Sequence, residues 1–251
     1  PTPPVVQVSA RNSGTPVAVS PAFQALGDQL WAMMLQAGFE PETSRLGALF
    51  LLDLQTGEAI TFGSNIAFSG MSLNKIAILA ELYATLDAPP DVTEANVIAS
   101  AMICSENTST NQMLEFIGGN AYQGARDVTA FLQELGLNNT FLVAPFLIDP
   151  NHVPTPPFPI VAPTTTADKS ITQPDPWNQA TVDDLGWLLG SIYQCAYNES
   201  GPLLDTFADA FQPRECRQML HAMSNNKIGA LIEAGVPAGT RVAHKHGWIN
   251  D

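Results

Sequence analysis

Strand-like segments lie towards both ends of the chain, and helical segments fill the stretch between them. The apolar runs at 46–54 and 59–62 flank Thr56-Gly57, a pattern typical of an antiparallel hairpin. A last strand is predicted at 240–248. Because strands bury their apolar faces by sharing a sheet, this order predicts an α+β fold. We expect an antiparallel sheet, built from N- and C-terminal strands, that packs against a helical region.

Helices are predicted wherever apolar residues recur at helical spacing and end at glycine or proline. The predicted ranges are 21–37, 72–86, 94–104, 108–117, 124–135, 182–194, 203–211, 214–223 and 227–234. The stretch 138–180 is rich in proline and lacks helical spacing. It is too long for an ordinary connection, which indicates a functional or mobile loop.

Two further segments bear on domain organisation. Residues 1–20 are rich in proline and serine, and we expect a linker or tether remnant there. Residues 21–251 have the size of one compact domain. Because Asp251 follows directly after a predicted central strand, we expect the C-terminal strands to be missing from this chain. A missing C-terminal segment or a second chain would then complete the sheet.

Composition excludes several kinds of partner. The chain is 45% hydrophobic and 14% charged, with a formal net charge of −14. An acidic surface of this kind argues against nucleic acid as a partner. No stretch approaches the roughly 20 apolar residues that cross a bilayer, so no transmembrane segment is predicted in this chain.

The three cysteines lack the spacing of a metal site. Cys195 and Cys216 flank predicted helices and would form a disulfide in an exported protein, although three free buried cysteines fit the sequence equally well. Cys104 follows an apolar run, which predicts a buried thiol.

Lysine is scarce in this chain, which contains only Lys75, Lys169, Lys227 and Lys245. Ser72-Leu73-Asn74-Lys75 places a serine and a lysine on one face at the start of a predicted helix. A serine hydroxyl becomes a good nucleophile when a neighbouring base takes its proton. The same S-x-x-K spacing recurs at 224–227, so the spacing alone is a weak signal.

Two further motifs distinguish the first S-x-x-K from the second. Ser105-Glu106-Asn107 follows Ser72 at the start of another predicted helix, and Lys245-His246-Gly247 lies in the last predicted strand. S-x-x-K, S-[DE]-N and K-[TSH]-G in this order resemble the superfamily of class A β-lactamases and penicillin-binding D,D-peptidases. The resemblance covers about residues 22–248 and is weakest in 138–180.

The resemblance implies a catalytic role for three side chains. Ser72 would attack a carbonyl and form an acyl-enzyme, Lys75 would accept the serine proton, and Ser105 would pass a proton towards the leaving nitrogen. Without the resemblance, Ser105 and Asn107 are better explained as a helix cap.

It also implies substrate-binding roles. Asn107 would bind the amide side chain of the substrate, and Lys245 would hold its carboxylate. His246 stands where the family usually has threonine or serine, so an imidazole would complete that carboxylate site. Gly247 would permit close approach of the substrate, and the backbone N–H of Trp248 would join that of Ser72 in an oxyanion hole.

The chain departs from class A β-lactamases at the deacylation base. Those enzymes carry a glutamate in the loop after the S-[DE]-N helix, but this chain has no glutamate between Glu134 and Glu199. The expected place falls at 144–146, which is apolar, and the long loop offers only Asp149, Asp168 and Asp175. The acyl-enzyme is therefore predicted to persist, unless Lys75 or a loop aspartate activates water.

These observations predict a serine hydrolase acting on β-lactams or peptidoglycan-like D,D-peptides, with weak or unconventional deacylation. Two alternatives stay open: a penicillin-binding sensor without turnover, and an esterase or amidase that uses the same site. The partner is thus a small-molecule or peptide substrate, and no metal or organic cofactor is implied. An extracytoplasmic location follows from that substrate class.

Overall fold

The computed structural model describes residues 6–7, 17–39, 45–151, 153–226 and 231–248. The predicted linker falls mostly outside these residues, as do Lys227 of the second S-x-x-K spacing and the start of the helix predicted at 227–234. Within the described part, no helix is both long and apolar enough to cross a membrane.

The described residues form eight α-helices. They are α1 (Pro21–Gln36), α2 (Lys75–Thr85), α3 (Val92–Ile103), α4 (Asn107–Gly118), α5 (Ala121–Glu134), α6 (Val182–Tyr193), α7 (Pro202–Thr206) and α8 (Pro213–Ser224). A 3₁₀ turn at Met71–Asn74 leads into α2, a π-helical turn at Gln194–Asn198 follows α6, and a 3₁₀ turn spans Glu233–Gly235. These bounds confirm the predicted helices within a few residues, with two exceptions. Helix α7 ends well before 211, and the described residues of the helix predicted at 227–234 form no α-helix, only the start of the 3₁₀ turn.

The first sheet contains the predicted hairpin. Strands β2 (Leu49–Leu52) and β3 (Ala59–Phe62) pair antiparallel, with Leu49 opposite Phe62. Gly57 has φ +76° in the connecting turn, a conformation that glycine adopts without strain. Strand β1 (Val6–Gln7) pairs with the other edge of β3, so the order is β1-β3-β2.

A second small sheet was not predicted. Strand β4 (Phe68–Ser69) pairs with β6 (Asn178–Ala180), which also pairs with β5 (Phe141–Leu142). Strands β5 and β6 lie inside the proline-rich stretch 138–180. At two or three residues each, they are too short to show an alternating pattern, and only the packing of distant segments reveals them.

The prediction of a strand at 240–248 is wrong. These residues have no ladder hydrogen bonds to any described strand; the contacts are His244 N to Met223 O at 3.3 Å and Thr240 N to Pro237 O at 3.1 Å. A strand is defined by pairing, which the local apolar pattern cannot supply. Completion of the sheet by a missing segment or second chain stays a prediction.

Residues of this segment and of β2 line the same cleft, which has a volume of about 610 Å³. Its lining includes Phe50 and Leu52 of β2, residues of α6 and α8, and Arg241 and Ala243. Among the described residues, β2 pairs with β3 alone and forms no ladder with 240–248.

Helix α2 is the centre of the core. Its residues 75–80 are all buried, and apolar side chains of α3, α4, α5, α6 and α8 surround it. A helix that is apolar on nearly every side must be enclosed in this way. The residues just before α2 are consequently held on a rigid scaffold.

Helix α4 is fixed to α5 by two glycines. A Cβ added to Gly124 would lie 2.0 Å from the Leu114 carbonyl oxygen, and one on Gly118 would lie 2.2 Å from the Gly124 nitrogen. The two backbones approach so closely that no side chain fits between them. The start of α4 is thereby held against the core beside α2.

The cysteines divide into one pair and one free thiol. Cys195 and Cys216 form a disulfide between the turn after α6 and helix α8. Cys104 is exposed, so the predicted buried thiol is wrong. Its apolar neighbours Ala101 and Met102 face the core, but α3 ends at Ile103 and Cys104 turns away from that face.

We expect removal of the disulfide to destabilise the fold. The double substitution Cys195→Ala/Cys216→Ala should lower the free energy of unfolding by about 3 kcal/mol, because the open chain gains entropy when unfolded. Urea unfolding measures the change. Cys104→Ala is the control and should shift it by less than about 0.5 kcal/mol, since exposed side chains contribute little; equal losses in both variants would contradict this account.

Candidate active site

The 3₁₀ turn that carries Ser72 is anchored by one buried asparagine. The side-chain nitrogen of Asn74 donates to the carbonyl oxygens of Phe141 and Gln179 at 3.0 and 3.1 Å, and to Asn178 Oδ1 at 2.7 Å. These acceptors belong to β5 and β6. The second sheet therefore fixes the position of the predicted nucleophile.

Two non-glycine residues beside the site have left-handed backbone conformations. Met71, just before Ser72, has φ +46°, and Ser105 has φ +59°. Such conformations cost of order 1 kcal/mol or more and cluster at functional sites. Met71 directly precedes the predicted nucleophile, and Ser105 is itself a predicted catalytic residue.

Lys75 is fully buried, and its ammonium group faces the start of α4. Nζ donates to Ser105 O at 2.6 Å and to Asn107 Oδ1 at 3.0 Å, and lies 3.4 Å from Ser105 Oγ. Among the described residues, no hydrogen bond joins Lys75 to Ser72. The structure thus brings Lys75 to the S-[DE]-N motif, while the hydroxyl of the half-buried Ser72 has no hydrogen-bond partner in the described part of the chain.

Lys75 loses much of its basicity in this position. Burial, and then the positive charge of Lys245, lower the pKa of Lys75 to about 7, and the carboxylate of Glu106 opposes them. A buried ammonium group gives up the hydration that stabilises its charge. Near neutral pH, a large fraction of Lys75 is therefore uncharged and able to accept a proton.

Lys245 converges on the same serine hydroxyl. Its Nζ donates to Ser105 Oγ at 2.7 Å and to the carbonyl oxygen of His246 at 2.8 Å. Burial lowers the pKa of Lys245 to about 8. The Ser105 hydroxyl is thus placed between two amino groups, where it can accept a proton from one side and donate on the other.

Gly247 lies directly against the turn that carries Ser72. A Cβ added there would lie 2.9 Å from the Ser72 nitrogen and 3.1 Å from Met71 Cβ. Only glycine permits this approach. The backbone at Gly247 consequently lies beside the backbone N–H of Ser72 in the 3₁₀ turn.

His246 is buried, yet neither ring nitrogen has a hydrogen-bond partner among the described residues. The ring stacks on Trp248, with centroids 4.8 Å apart and planes 4° apart. Burial, and then the charges of Lys245 and His244, lower the pKa of His246. Buried polar atoms normally have partners, so these nitrogens are available to a ligand.

Glu106 organises the turn between α3 and α4. Its carboxylate accepts from Ser100 Oγ at 2.7 Å and from the Ser109 hydroxyl. Asn107 is the first residue of α4, and its side-chain nitrogen donates a hydrogen bond to Leu147 O at 3.2 Å. The side chain of Asn107 therefore links Lys75 to the long loop.

A phenylalanine of the long loop lies over the Lys75 ammonium group. The Phe146 ring centroid lies 5.0 Å from Lys75 Nζ. Asn111 of α4 fixes Phe146, since its side chain accepts from Phe146 N and donates to Phe146 O, both at 2.8 Å. Sequence reasoning found the loop position but missed Asn74 and Asn111, because an asparagine anchor gives no pattern of its own.

The three aspartates of the long loop accept hydrogen bonds from their own loop backbone. The Oδ1 atoms of Asp149, Asp168 and Asp175 each accept a backbone N–H two residues further on, at 2.8 Å. None of the three contacts Lys75 in the described part of the chain. A loop aspartate as the base for water finds no support in this arrangement.

The serine of the second S-x-x-K spacing lies at the end of a helix, whereas Ser72 lies just before one. Ser224 ends α8, and its hydroxyl donates back to Leu220 O at 2.8 Å. A helix C-terminus presents carbonyl oxygens, which do not stabilise developing negative charge on a serine. Lys227 lies outside the described residues.

The described residues also contain no cluster of three or more histidine, cysteine, aspartate or glutamate side chains that could hold a metal ion.

The profile of the Beta-lactamase enzyme family matches residues 85–251, about two thirds of the chain. The chain belongs to this family. The matched range includes Ser105 and Lys245 but begins after Ser72 and Lys75. A search of curated proteins gave no match.

Solved structures show that the chain has the β-lactamase fold. A β-lactamase from Desulfarculus baarsii is 20% identical at a TM-score of 0.59, with 92% of this chain and 79% of that chain covered. An ancestral class A β-lactamase is 23% identical at 0.56, covering 88% and 80%. A point mutant of PBP-A, solved as an acyl-enzyme complex with penicillin G, is 21% identical at 0.58, covering 89% and 77%.

We expect Lys75 of this β-lactamase family member to titrate near neutrality. With lysine labelled at Nζ, NMR should give a pKa of about 7 for Lys75. In Lys245→Gln the pKa should rise, because a neighbouring positive charge no longer disfavours the ammonium form. Lys169→Gln removes an exposed lysine and is the matched control. An unchanged Lys75 pKa in Lys245→Gln would refute the coupling.

Proposed function

We propose that this β-lactamase family member is an active-site serine hydrolase that forms an acyl-enzyme with β-lactams or peptidoglycan-like D,D-peptides. The observation that carries the proposal is the convergence of Lys75 and Lys245 on Ser105 Oγ, at 3.4 and 2.7 Å. This pair of amino groups lies beside the turn that presents Ser72. A proton can thus leave the nucleophile at one end of the cluster and reach a leaving group at the other.

Acylation begins at Ser72. Its Oγ attacks the substrate carbonyl carbon, and its proton passes to uncharged Lys75, directly or through water. The carbonyl oxygen becomes negative and is held by the backbone N–H groups of Ser72 and Trp248. The close approach of Gly247 to the Ser72 nitrogen supports this pairing of donors.

Ser105 completes the proton transfer. The tetrahedral intermediate collapses as its C–N bond breaks, and the leaving nitrogen takes the Ser105 hydroxyl proton. Protonated Lys75 then returns a proton to Ser105 Oγ. The proton that left Ser72 thus replaces the one delivered to the nitrogen, and Lys75 ends uncharged.

Substrate binding uses the other side of the cluster. A substrate carboxylate accepts from Lys245 and from one ring N–H of His246, whose nitrogens lack other partners among the described residues. The side chain of Asn107 binds the amide of the acyl group. The exposed Trp248 ring stacks on His246 and so lies on the same side of the cluster.

Deacylation is slow in this proposal. The position that faces Lys75 from the long loop is the Phe146 ring, which cannot take a proton from water. Water must then be activated by Lys75 itself or not at all. A persistent acyl-enzyme suits a D,D-peptidase-like enzyme or slow β-lactam hydrolase, and equally a penicillin-binding sensor.

We also infer an extracytoplasmic location. The Cys195–Cys216 disulfide supports it, because disulfides persist in oxidising compartments and are rare in the cytosol of most organisms.

We expect benzylpenicillin to form a stable covalent adduct at Ser72. Intact-mass spectrometry over time should show the adduct on the wild type and none on Ser72→Ala, which lacks the nucleophile. Ser224→Ala tests the second S-x-x-K serine and should react like the wild type. No adduct on the wild type would refute penicillin recognition, while an adduct on Ser72→Ala would refute the nucleophile.

We expect Phe146→Glu to shorten the life of that adduct. A carboxylate at this position would face Lys75 and could accept a proton from water, raising the deacylation rate by about 100-fold. Time-resolved intact mass and penicilloic acid release measure this rate. Phe146→Gln has a similar shape without the base and is the matched control; equal acceleration in both variants would show that removal of the ring alone is responsible.

A further inference from the structure

The segment that carries Lys245, His246 and Gly247 is held in place without pairing in a sheet. In the described part of the chain it has no ladder hydrogen bonds to a strand. Its position beside Ser72 must therefore come from side chains and from single backbone contacts. Two of these, Lys245 to Ser105 and Gly247 to Ser72, belong to the active site itself.

Outside the active site, His244 makes two contacts. Its backbone N–H donates to Met223 O at 3.3 Å, and its ring meets the carboxylate of Glu233. His244 Nε2 lies 2.7 Å from Glu233 Oε1, and the His244 side chain is 3% exposed. The contact joins a buried imidazole nitrogen to a carboxylate oxygen of a partly exposed side chain. Glu233 belongs to a 3₁₀ turn, so the pair ties the segment to a separate element.

The rings continue this contact towards the substrate-binding groups. The ring of His244 lies 5.7 Å from that of His246, which in turn stacks on Trp248. Alternate residues of an extended segment lie on the same face, so these three rings form one column. Glu233 abuts one end of the column, and the exposed Trp248 ring forms the other.

We propose that Glu233 and His244 are positioning residues, which hold Lys245, His246 and Gly247 in place beside Ser72 and Ser105 and so set the affinity for the substrate carboxylate. This inference rests on the proposed function. It assigns Glu233 a role that its sequence context does not reveal, because the contact forms only when the turn and the segment meet.

The test compares substrates with and without the carboxylate. Rapid-quench intact mass at several concentrations gives the half-saturating concentration and the limiting rate of acylation. In Glu233→Ala the half-saturating concentration for benzylpenicillin should rise about 10-fold, because a displaced anchor binds the carboxylate poorly. For benzylpenicillin methyl ester, which lacks that charge, it should change by less than about 2-fold.

Three variants serve as controls. Glu233→Gln keeps an acceptor oxygen and should restore part of the affinity. Glu233→Ala/His244→Ala should be no worse than the poorer single variant, since both remove one contact. Asp209→Ala removes an exposed acid and should behave as wild type. Equal losses for acid and ester, or additive losses in the double variant, would overturn the proposal.

Hydrogen exchange separates this proposal from the proposed function. In Glu233→Ala, amides of 243–248 should exchange at least about 10-fold faster, while those of α2 stay unchanged. Wild type that forms no adduct would refute penicillin recognition, and this exchange result would then decide whether the pair holds the segment. Unchanged exchange at 243–248 would overturn the positioning role whatever the wild type does.

Discussion

Two lysines share one serine hydroxyl in this protein, and the arrangement of the site depends on that constraint. Bringing Lys75 and Lys245 to Ser105 Oγ places two amino groups of like charge close together in a largely buried site. Such an arrangement is costly unless at least one group becomes uncharged. Burial and mutual repulsion lower the pKa of Lys75 to about 7. The unfavourable burial of two like charges thus leaves part of the Lys75 amino groups uncharged at neutral pH.

The rest of the fold keeps these groups from moving apart. The buried helix α2 fixes Lys75, and the glycine contact between α4 and α5 fixes the helix that begins at Asn107. Asn74 and Asn111 connect the two helix starts to β5, β6 and the long loop. The stretch predicted as a functional or mobile loop is in part the support of the site, since two of its segments pair as strands.

The sequence predicted the helices well and the sheets unevenly. Helical spacing is a local property, so the bounds of α2 to α6 and α8 follow from the chain within a few residues. The 49–62 hairpin carries its own turn signal at Gly57 and was also predicted. Strands β5 and β6 were missed and 240–248 was wrongly called a strand, because pairing depends on residues far away in the chain. The prediction that Cys104 is buried is wrong for a related reason, because the place where α3 ends decides which way this side chain faces.

By itself, the sequence determined the fold class, the three motifs and the apolar character of the loop position opposite Lys75. Motif order sufficed for this, because residue type and spacing are properties of the chain. Only the tertiary structure decided that Lys75 hydrogen-bonds to Ser105 and Asn107 and not to Ser72. It likewise decided that the Phe146 ring faces the Lys75 ammonium group. The contact between Glu233 and His244 is also visible only in the folded structure. Each of these contacts joins separate segments, and their burial sets the charge states that the sequence leaves open.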